Sequence, residues 1–325
     1  MTGLKTGPQA KQFCVNRKLI NMVEAVLNVL GPVFLISLMG FLYSRWFKPD
    51  MGFINRANMD LFLPALIFSA LTENPWQFAD YQWLVLAAGM LILLPGILSA
   101  PFVGLSKMHW QVVLPPVMFN NSGNLGIPLL VFAFGEQVLP IAVMIFIVEN
   151  TLHFTVGAAM INHGHHSPFK SLVAVFQTPM IWATLFAFLF HGLDWHLLEA
   201  LDRAVDLTAD MAIPLMLFAL GIRLGGVKFE GWRIPVVAGI WIPLIGWGCF
   251  AITLAVLAHW VELPSLHRDI LLLYAVLPPA VLNFMVAERY LESARQKHQV
   301  AEIVLWGNLL SIVPIALVLS WLSTQ

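Results

Sequence analysis

From Met22 onward the chain alternates long apolar runs with short polar connections, a rhythm that fits membrane-spanning helices rather than amphipathic surface elements. A bilayer core of about 30 Å takes roughly 20 apolar residues per helix, fewer where a helix is short or broken. On that ruler ten spans are predicted, at 23–43, 57–72, 82–104, 111–134, 137–161, 171–191, 206–223, 233–259, 268–288 and 298–322, the second and seventh being short. The expectation is one compact all-α domain without a soluble appendage. It comprises an N-terminal tail (1–22), five helices (23–161), a central cytoplasmic loop (162–170) and five more helices (171–325).

Composition agrees with this reading and narrows it. Hydrophobic residues make up 59% of the 325 and charged residues only 11%, where a soluble domain carries roughly 25% charged. That deficit identifies an integral membrane protein surrounded by lipid. The net charge of −1 creates no field suited to nucleic acid. Cys14 and Cys249 support neither a disulfide framework nor a metal site, and nothing calls for a cofactor. Trp76, Trp83 and Trp232 flank apolar runs, as interfacial anchors do.

Positive charge sets the orientation. Connections after odd-numbered spans hold Arg45, Lys48, Arg56, Lys107, Lys170, Arg223, Lys228, Arg233, Arg289, Arg295 and Lys297; those after even-numbered spans hold Arg203 and Arg268. The odd side is therefore expected in the cytoplasm, with both termini outside. Lys5, Lys11, Arg17 and Lys18 oppose that assignment, which is reconciled by translation starting at Met22.

The two halves echo each other. "DLFLPALIF" (Asp60–Phe68) and "DMAIPLMLF" (Asp210–Phe218) share Asp-x3-Pro-x3-Phe, "VLPP" recurs at Val113–Pro116 and Val276–Pro279, and Asn150 and Asn308 are mid-helix asparagines of the fifth and tenth spans. Five spans followed by five must be inverted in the membrane, the geometry on which alternating access is built.

Two spans are interrupted. The fourth contains "FNNSGNLGIPLL" (Phe119–Leu130), with Asn120, Asn121, Ser122, Gly123, Asn124, Gly126 and Pro128 at mid-depth. Each glycine weakens a helix by about 1 kcal/mol, and proline lacks the N–H and clashes with the preceding turn. The ninth contains "YAVLPPAVLNF" (Tyr274–Phe284), where Pro278 and Pro279 remove two donors and Asn283 follows. Irregular backbone at this depth survives only inside protein or beside a water-filled cavity. If the two breaks cross, uncapped helix N-termini meet there and make a cradle for a carboxylate. The alternative is that the prolines only kink helices and the asparagines only pack.

Ionisable residues at membrane depth are costly and often functional. Glu149 is placed near the centre of the fifth span beside Asn150, and His153 shares its helical face. Burial penalises the charged carboxylate, which makes Glu149 a candidate proton carrier supported by His153; the alternative is a protonated glutamate that only packs. Asp60 and Asp210 are read as helix-dipole partners and Glu302 as interfacial. The His163–His166 run is read as loop rather than a metal site. No catalytic constellation or nucleotide-binding glycine loop occurs in a credible setting, so neither an enzyme nor an ATP-driven pump is expected.

"LPALIFSAL" in the second span, "FNNSGNLGIPLL" in the fourth and "LPPAVLNFMVAERY" in the ninth resemble the auxin efflux carrier family, and the resemblance covers the chain from Met22. It implies two inverted five-helix repeats, similar to the bile-acid symporter architecture, with broken crossover helices. Spans one, two, six and seven would form a scaffold; three to five and eight to ten would form a moving domain. Family members hold solute at positions matching Asn121, Asn124, Pro128, Pro279 and Asn283, to which the break itself adds Asn120. Here Leu282 precedes Asn283, turning that amide by about 100° from the family register. Plant members also carry a long hydrophilic central loop that this chain lacks, which argues against auxin.

The resulting expectation is a secondary transporter moving a small organic anion, a carboxylate such as malonate or malate, across the inner membrane by alternating access. Glu149, His153, Asn150 and Asn308 form the candidate coupling set, with proton or sodium as the coupling ion. A channel and a non-transporting sensor are the alternatives from other classes, and a homodimer is left open.

Overall fold

The computed structural model describes residues 8–47, 49–73, 78–106, 108–161, 173, 176–224 and 233–324. The central loop with its His163–His166 run lies outside the described residues, as do Lys5, Lys48, Lys107, Lys170, Lys228, Trp76 and Trp232. Among the described residues the chain is helical, with no strand and one isolated antiparallel bridge.

Helix α1 (Pro8–Trp46) runs unbroken through Pro32. Asp50 caps α2 (Met51–Ala57), accepting the Gly52 N–H at 2.8 Å, and a π turn at Asn58–Phe62 leads into α3 (Leu63–Glu73). After α4 (Phe78–Ser106) come α5 (Trp110–Met118) and α6 (Ile127–Phe134), separated by irregular chain and a π turn at Ser122–Gly126. α7 (Leu139–Leu152) passes through a π turn at His153–Gly157 into α8 (Ala158–Ile161). The second half begins with α9 (Pro179–Gly192), then α10 (Glu199–Asp210) and α11 (Ala212–Leu224). α12 (Arg233–Val236) enters α13 (Ile242–Leu257) through a π turn at Val237–Trp241. α14 (Ser265–Ala275) and α15 (Leu282–Tyr290) flank the second irregular stretch, and α16 (Ala294–Leu310) and α17 (Ile312–Leu322) end the chain.

Three of these π turns have the same cause. Pro64, Pro128 and Pro243 each lie two residues beyond one, and the missing N–H and ring bulk of proline shift the hydrogen-bond ladder by a residue. The turn at His153–Gly157 has no such proline; there Gly157 lets the chain close on Phe119, whose ring lies 2.7 Å from where a Cβ would stand.

Among the described residues six segments are long and apolar enough to cross a membrane: Val26–Trp46, Tyr81–Gly104, Glu136–Ile161, Glu199–Arg223, Arg233–Leu257 and Ala294–Leu322. They coincide with spans one, three, five, seven, eight and ten. The other four are short or broken: Pro179–Gly192 is apolar but short, and the fourth and ninth spans divide into half-helices. The seventh, expected to be short, starts at Glu199 instead of 206, because its first turns are amphipathic rather than apolar. Asp60 and Asp210 consequently sit inside helical runs instead of heading them, which removes the dipole role expected of them. Glu302, expected at the interface, is only 3% exposed and faces His298 at 3.7 Å, because α16 starts two turns earlier and carries it below the surface.

Large apolar side chains cover the outer surface, among them Leu35, Leu38, Met39, Phe186, Leu189 and Leu317. A water-soluble protein does not expose so much apolar area, whereas lipid solvates it at no cost.

Inside, α1 packs on α11 and α3 packs on α9. The first contact is backbone on backbone: a Cβ on Gly40 would stand 2.0 Å from the Phe218 carbonyl oxygen, and one on Gly221 would stand 1.8 Å from that of Ser37. The Ser37 hydroxyl donates to the Leu217 carbonyl at 3.1 Å across the same seam. Small residues at such crossings let helices approach where lipid supplies no hydrophobic drive. α4 packs against α5, α7 and α13, while α16 packs against α5, α15 and the Val237–Trp241 turn.

The seam predicts a clean contrast. Gly221→Leu should destabilise the protein by about 1–3 kcal/mol or more, since it drives a side chain into backbone. Gly31→Leu, where nothing lies within 4 Å of the added Cβ, should leave stability unchanged or slightly raised. Thermal unfolding of the two detergent-purified variants separates these outcomes.

Candidate functional site

The two irregular stretches meet and pair. The Asn121 N–H donates to the Pro278 carbonyl at 2.6 Å and the Ala280 N–H to the Phe119 carbonyl at 2.9 Å, making an antiparallel bridge between Asn120 and Pro279. In this register Asn120 and Pro279 are a pair that exchanges no hydrogen bonds of its own, so the missing proline N–H is not needed. Each broken helix thus satisfies the backbone of the other.

Asparagine side chains complete the knot. Asn120 Nδ2 donates to the Tyr274 carbonyl at 3.1 Å, and Asn283 Nδ2 reaches the Phe119 and Ala280 carbonyls at 2.9 and 3.0 Å. Asn308 Nδ2 donates to the Pro279 carbonyl at 3.1 Å and to Val304 at 2.8 Å, while its Oδ1 accepts from Asn121 Nδ2 at 2.9 Å. Gly307 makes room for this: an added Cβ would lie 2.4 Å from the Pro279 ring.

Beside the bridge lies a cavity of about 80 Å³. The start of the π turn (Ser122, Gly123, Asn124) and the start of α15 (Ala280, Val281, Leu282) line one side of it. Neither helix start has a side-chain cap, so two positive dipole ends lie at the cavity, although in α15 the Asn283, Phe284 and Met285 N–H groups already donate to the Ala280 and Val281 carbonyls. Glu149, Asn150 and His153 line it from the fifth span, and Asn55, Asn58, Met216 and Arg223 from α2, the adjoining π turn and α11.

The polar contacts around the cavity are incomplete. The Tyr274 hydroxyl donates to Glu149 Oε2 at 2.7 Å, and the Ser122 side chain and Asn120 N–H interact with the same carboxyl group, yet Oε1 makes no well-formed hydrogen bond. His153 stacks on Phe119, ring centroids 4.2 Å apart, with Nε2 unpartnered. Arg223 Nη2 donates to Asn55 Oδ1 at 2.7 Å while its Nε has no acceptor. Asn58 Oδ1 is likewise unpartnered. Among the described residues seven buried side-chain polar atoms lack a partner, and four of them, on Asn58, Glu149, His153 and Arg223, belong to residues lining this one cavity. Buried polar groups are almost always paired, so this concentration makes the cavity the candidate functional site.

The expected site residues fall into two groups. Asn120, Asn121 and Asn124 line the cavity, as do Glu149, Asn150 and His153. Pro128, Pro279 and Asn283 do not line it; Pro128 lies behind in α6, Pro279 sits in the bridge, and Asn283 is fully buried as a brace. Asn308 holds the bridge and lines two neighbouring apolar cavities instead. Sequence reasoning missed Arg223, Asn55, Asn58 and Tyr274. Arg223 is indistinguishable in sequence from an arginine that only sets topology, and Tyr274 stands in the quoted ninth-span motif with no polar neighbour to give it a role.

Residues 22–319 match the family described as "Membrane transport protein". A protein of Rhizobium meliloti (strain 1021) named "Putative malonate transporter" is 26% identical over 234 residues, covering 67% of this chain and 72% of that one. The "Uncharacterized transporter YfdV" of Escherichia coli (strain K12) is 22% identical over 288 residues, covering 83% of this chain and 90% of its own.

The brace role of Asn283 is testable. Asn283→Ala should lower stability by about 1–3 kcal/mol, because the Phe119 and Ala280 carbonyls each lose a buried donor. A melting temperature equal to that of the unaltered protein would remove Asn283 from the bridge.

Proposed function

Because this chain belongs to the membrane transport protein family, which is the auxin efflux carrier family, we propose that it is a secondary transporter of a small carboxylate such as malonate or malate. One observation carries this reading: four unpartnered buried polar groups converge on a cavity that also receives two uncapped helix starts. Such a cavity offers an anion N–H donors at membrane depth. A cytoplasmic or inner membrane with many crossings is the setting that fits.

The inverted repeat of five and five helices belongs to the same proposal, over 23–161 and 171–325. Helix packing supports it. Exchanging the halves turns the α1–α11 contact (first span on seventh) into the α9–α3 contact (sixth on second), and both occur. The fourth and ninth spans break at matching places. In this reading the bridged domain moves against the scaffold made by α1, α3, α9 and α11. Asn55, Arg223 and Met285 line the cavity near odd-side connections, so the cavity faces the side that positive charge assigns to the cytoplasm.

Asn124 is the asparagine placed to touch solute. It lines the cavity and makes no side-chain hydrogen bond among the described residues, whereas Asn120, Asn121 and Asn308 are engaged with the bridge. Glu149 carries the coupling proton, with His153 one helical turn on as its neighbour. Sodium coupling is the second reading, favoured by the several side-chain and main-chain oxygens around the bridge.

Two experiments in proteoliposomes follow. Asn124→Ala should raise the Kd for malonate or malate about tenfold or more, the loss of one hydrogen bond to a charged group, with the fold intact; unchanged binding removes it from the site. Glu149→Gln should abolish uptake driven by a pH gradient while sparing exchange of labelled for unlabelled substrate. PH-driven uptake that survives this change, or uptake lost when sodium is replaced by potassium, would assign the coupling elsewhere.

A further inference from the structure

We propose that Arg223 is the specificity-determining residue of the cavity: its guanidinium grips a second carboxylate, so that the site selects dicarboxylates over monocarboxylates. The inference rests on the carboxylate reading above and adds to it a second, charged pole besides the helix starts.

Arg223 ends the seventh span and is, among the described residues, the one arginine or lysine lining the cavity. Asn55 Oδ1 accepts from Nη2 at 2.7 Å and so orients the guanidinium plane. Nε is buried and has no acceptor, and Arg223 forms no ion pair among the described residues. A buried guanidinium is stable when its fork meets a carboxylate, which accepts two parallel N–H bonds. Nε–H and the remaining N–H of Nη2 form one such edge.

The helix starts that line the same cavity are of a different kind. Ser122, Gly123, Asn124 and the start of α15 offer neutral N–H donors and dipole ends, enough for one carboxylate but without a full charge to hold a second. A molecule with a carboxylate at each end spans the two poles; one with a single carboxylate leaves Arg223 unmatched. Leaving such a buried charge unpaired is heavily penalised, which is how a site rejects the analogue lacking the group. Arg223 further lines an adjoining apolar cavity of about 370 Å³, which places it where that space and the polar cavity meet.

The test is binding of malonate and succinate against acetate and propionate, by calorimetry on the detergent-purified full chain. The unaltered protein should bind the dicarboxylates at least about tenfold more tightly. Arg223→Met should weaken dicarboxylate binding about 30-fold or more, as loss of a buried charge pair does, and Arg223→Lys, which keeps the charge but not the planar fork, should weaken it by less; monocarboxylate binding should fall by a clearly smaller factor in both. Asn55→Ala, which frees the guanidinium without removing it, should shift dicarboxylates in the same direction by less; it stands in should the Arg223 variants fail to fold. Asn124→Ala, by contrast, should weaken both classes together. Equal affinity of the unaltered protein for both classes, or dicarboxylate binding unmoved in the variants, overturns the role of Arg223 and leaves the carboxylate reading standing. No binding of any carboxylate by the unaltered protein overturns both.

Discussion

Everything in the centre of this molecule follows from one requirement: in lipid, every backbone N–H and C=O must find its partner within the protein. A proline pair in one helix and a glycine–asparagine stretch in another each free several such groups. Neither break could persist alone at that depth. They persist together because Phe119–Asn121 and Pro278–Ala280 hydrogen-bond each other, in the register that asks nothing of the Pro279 nitrogen. The bridge is very short, and alone it would be marginal. Four asparagine side chains, of residues 120, 121, 283 and 308, bind the carbonyls or the amide left over.

That division of labour separates what holds the site from what constitutes it. Polar residues committed to the bridge spend their amide N–H donors on it, although Asn283 Oδ1 is left without a partner. Those around the cavity, namely Asn124, Glu149, His153, Asn58 and Arg223, have groups to spare. A site whose supporting groups are themselves well bonded can present free donors without collapsing onto them. The break is therefore not the binding site so much as the frame that points two helix starts into it.

Much of this was legible in the sequence, for reasons that differ by element. The six long segments declare themselves by hydropathy alone, since lipid leaves few other solutions. The breaks are legible because proline, glycine and asparagine act through backbone chemistry that context rarely overrides. Glu149 and His153 stand out because charge at that depth is rare. Three things were hidden. The start of the seventh span is amphipathic and packs along α3 while staying largely exposed, so its limit was set seven residues late. Asn283 looked like a ligand because sequence shows a free amide, not the two carbonyls it faces. Arg223 was counted as a topology signal because an arginine ending an apolar run reads the same whether it turns to water or, as here, inward toward Asn55.

The position of that arginine changes how coupling would operate in the proposed transporter. Arg223 and Glu149 line one small cavity within the protein. With the carboxyl ionised, their charges balance, and an incoming anion adds a net negative charge that little water is present to screen. With a proton on Glu149, the guanidinium is left to meet the anion and the cavity stays near neutral. Anion and proton then favour each other's binding, and linkage makes the effect equal in both directions. No direct contact between the two is required; confinement in a small space with one cation suffices. The Tyr274 hydroxyl, donating to Glu149 from the second broken span, brings that carboxyl into the same hydrogen-bonded frame as the bridge. Proton coupling and solute binding would then be properties of one electrostatic unit.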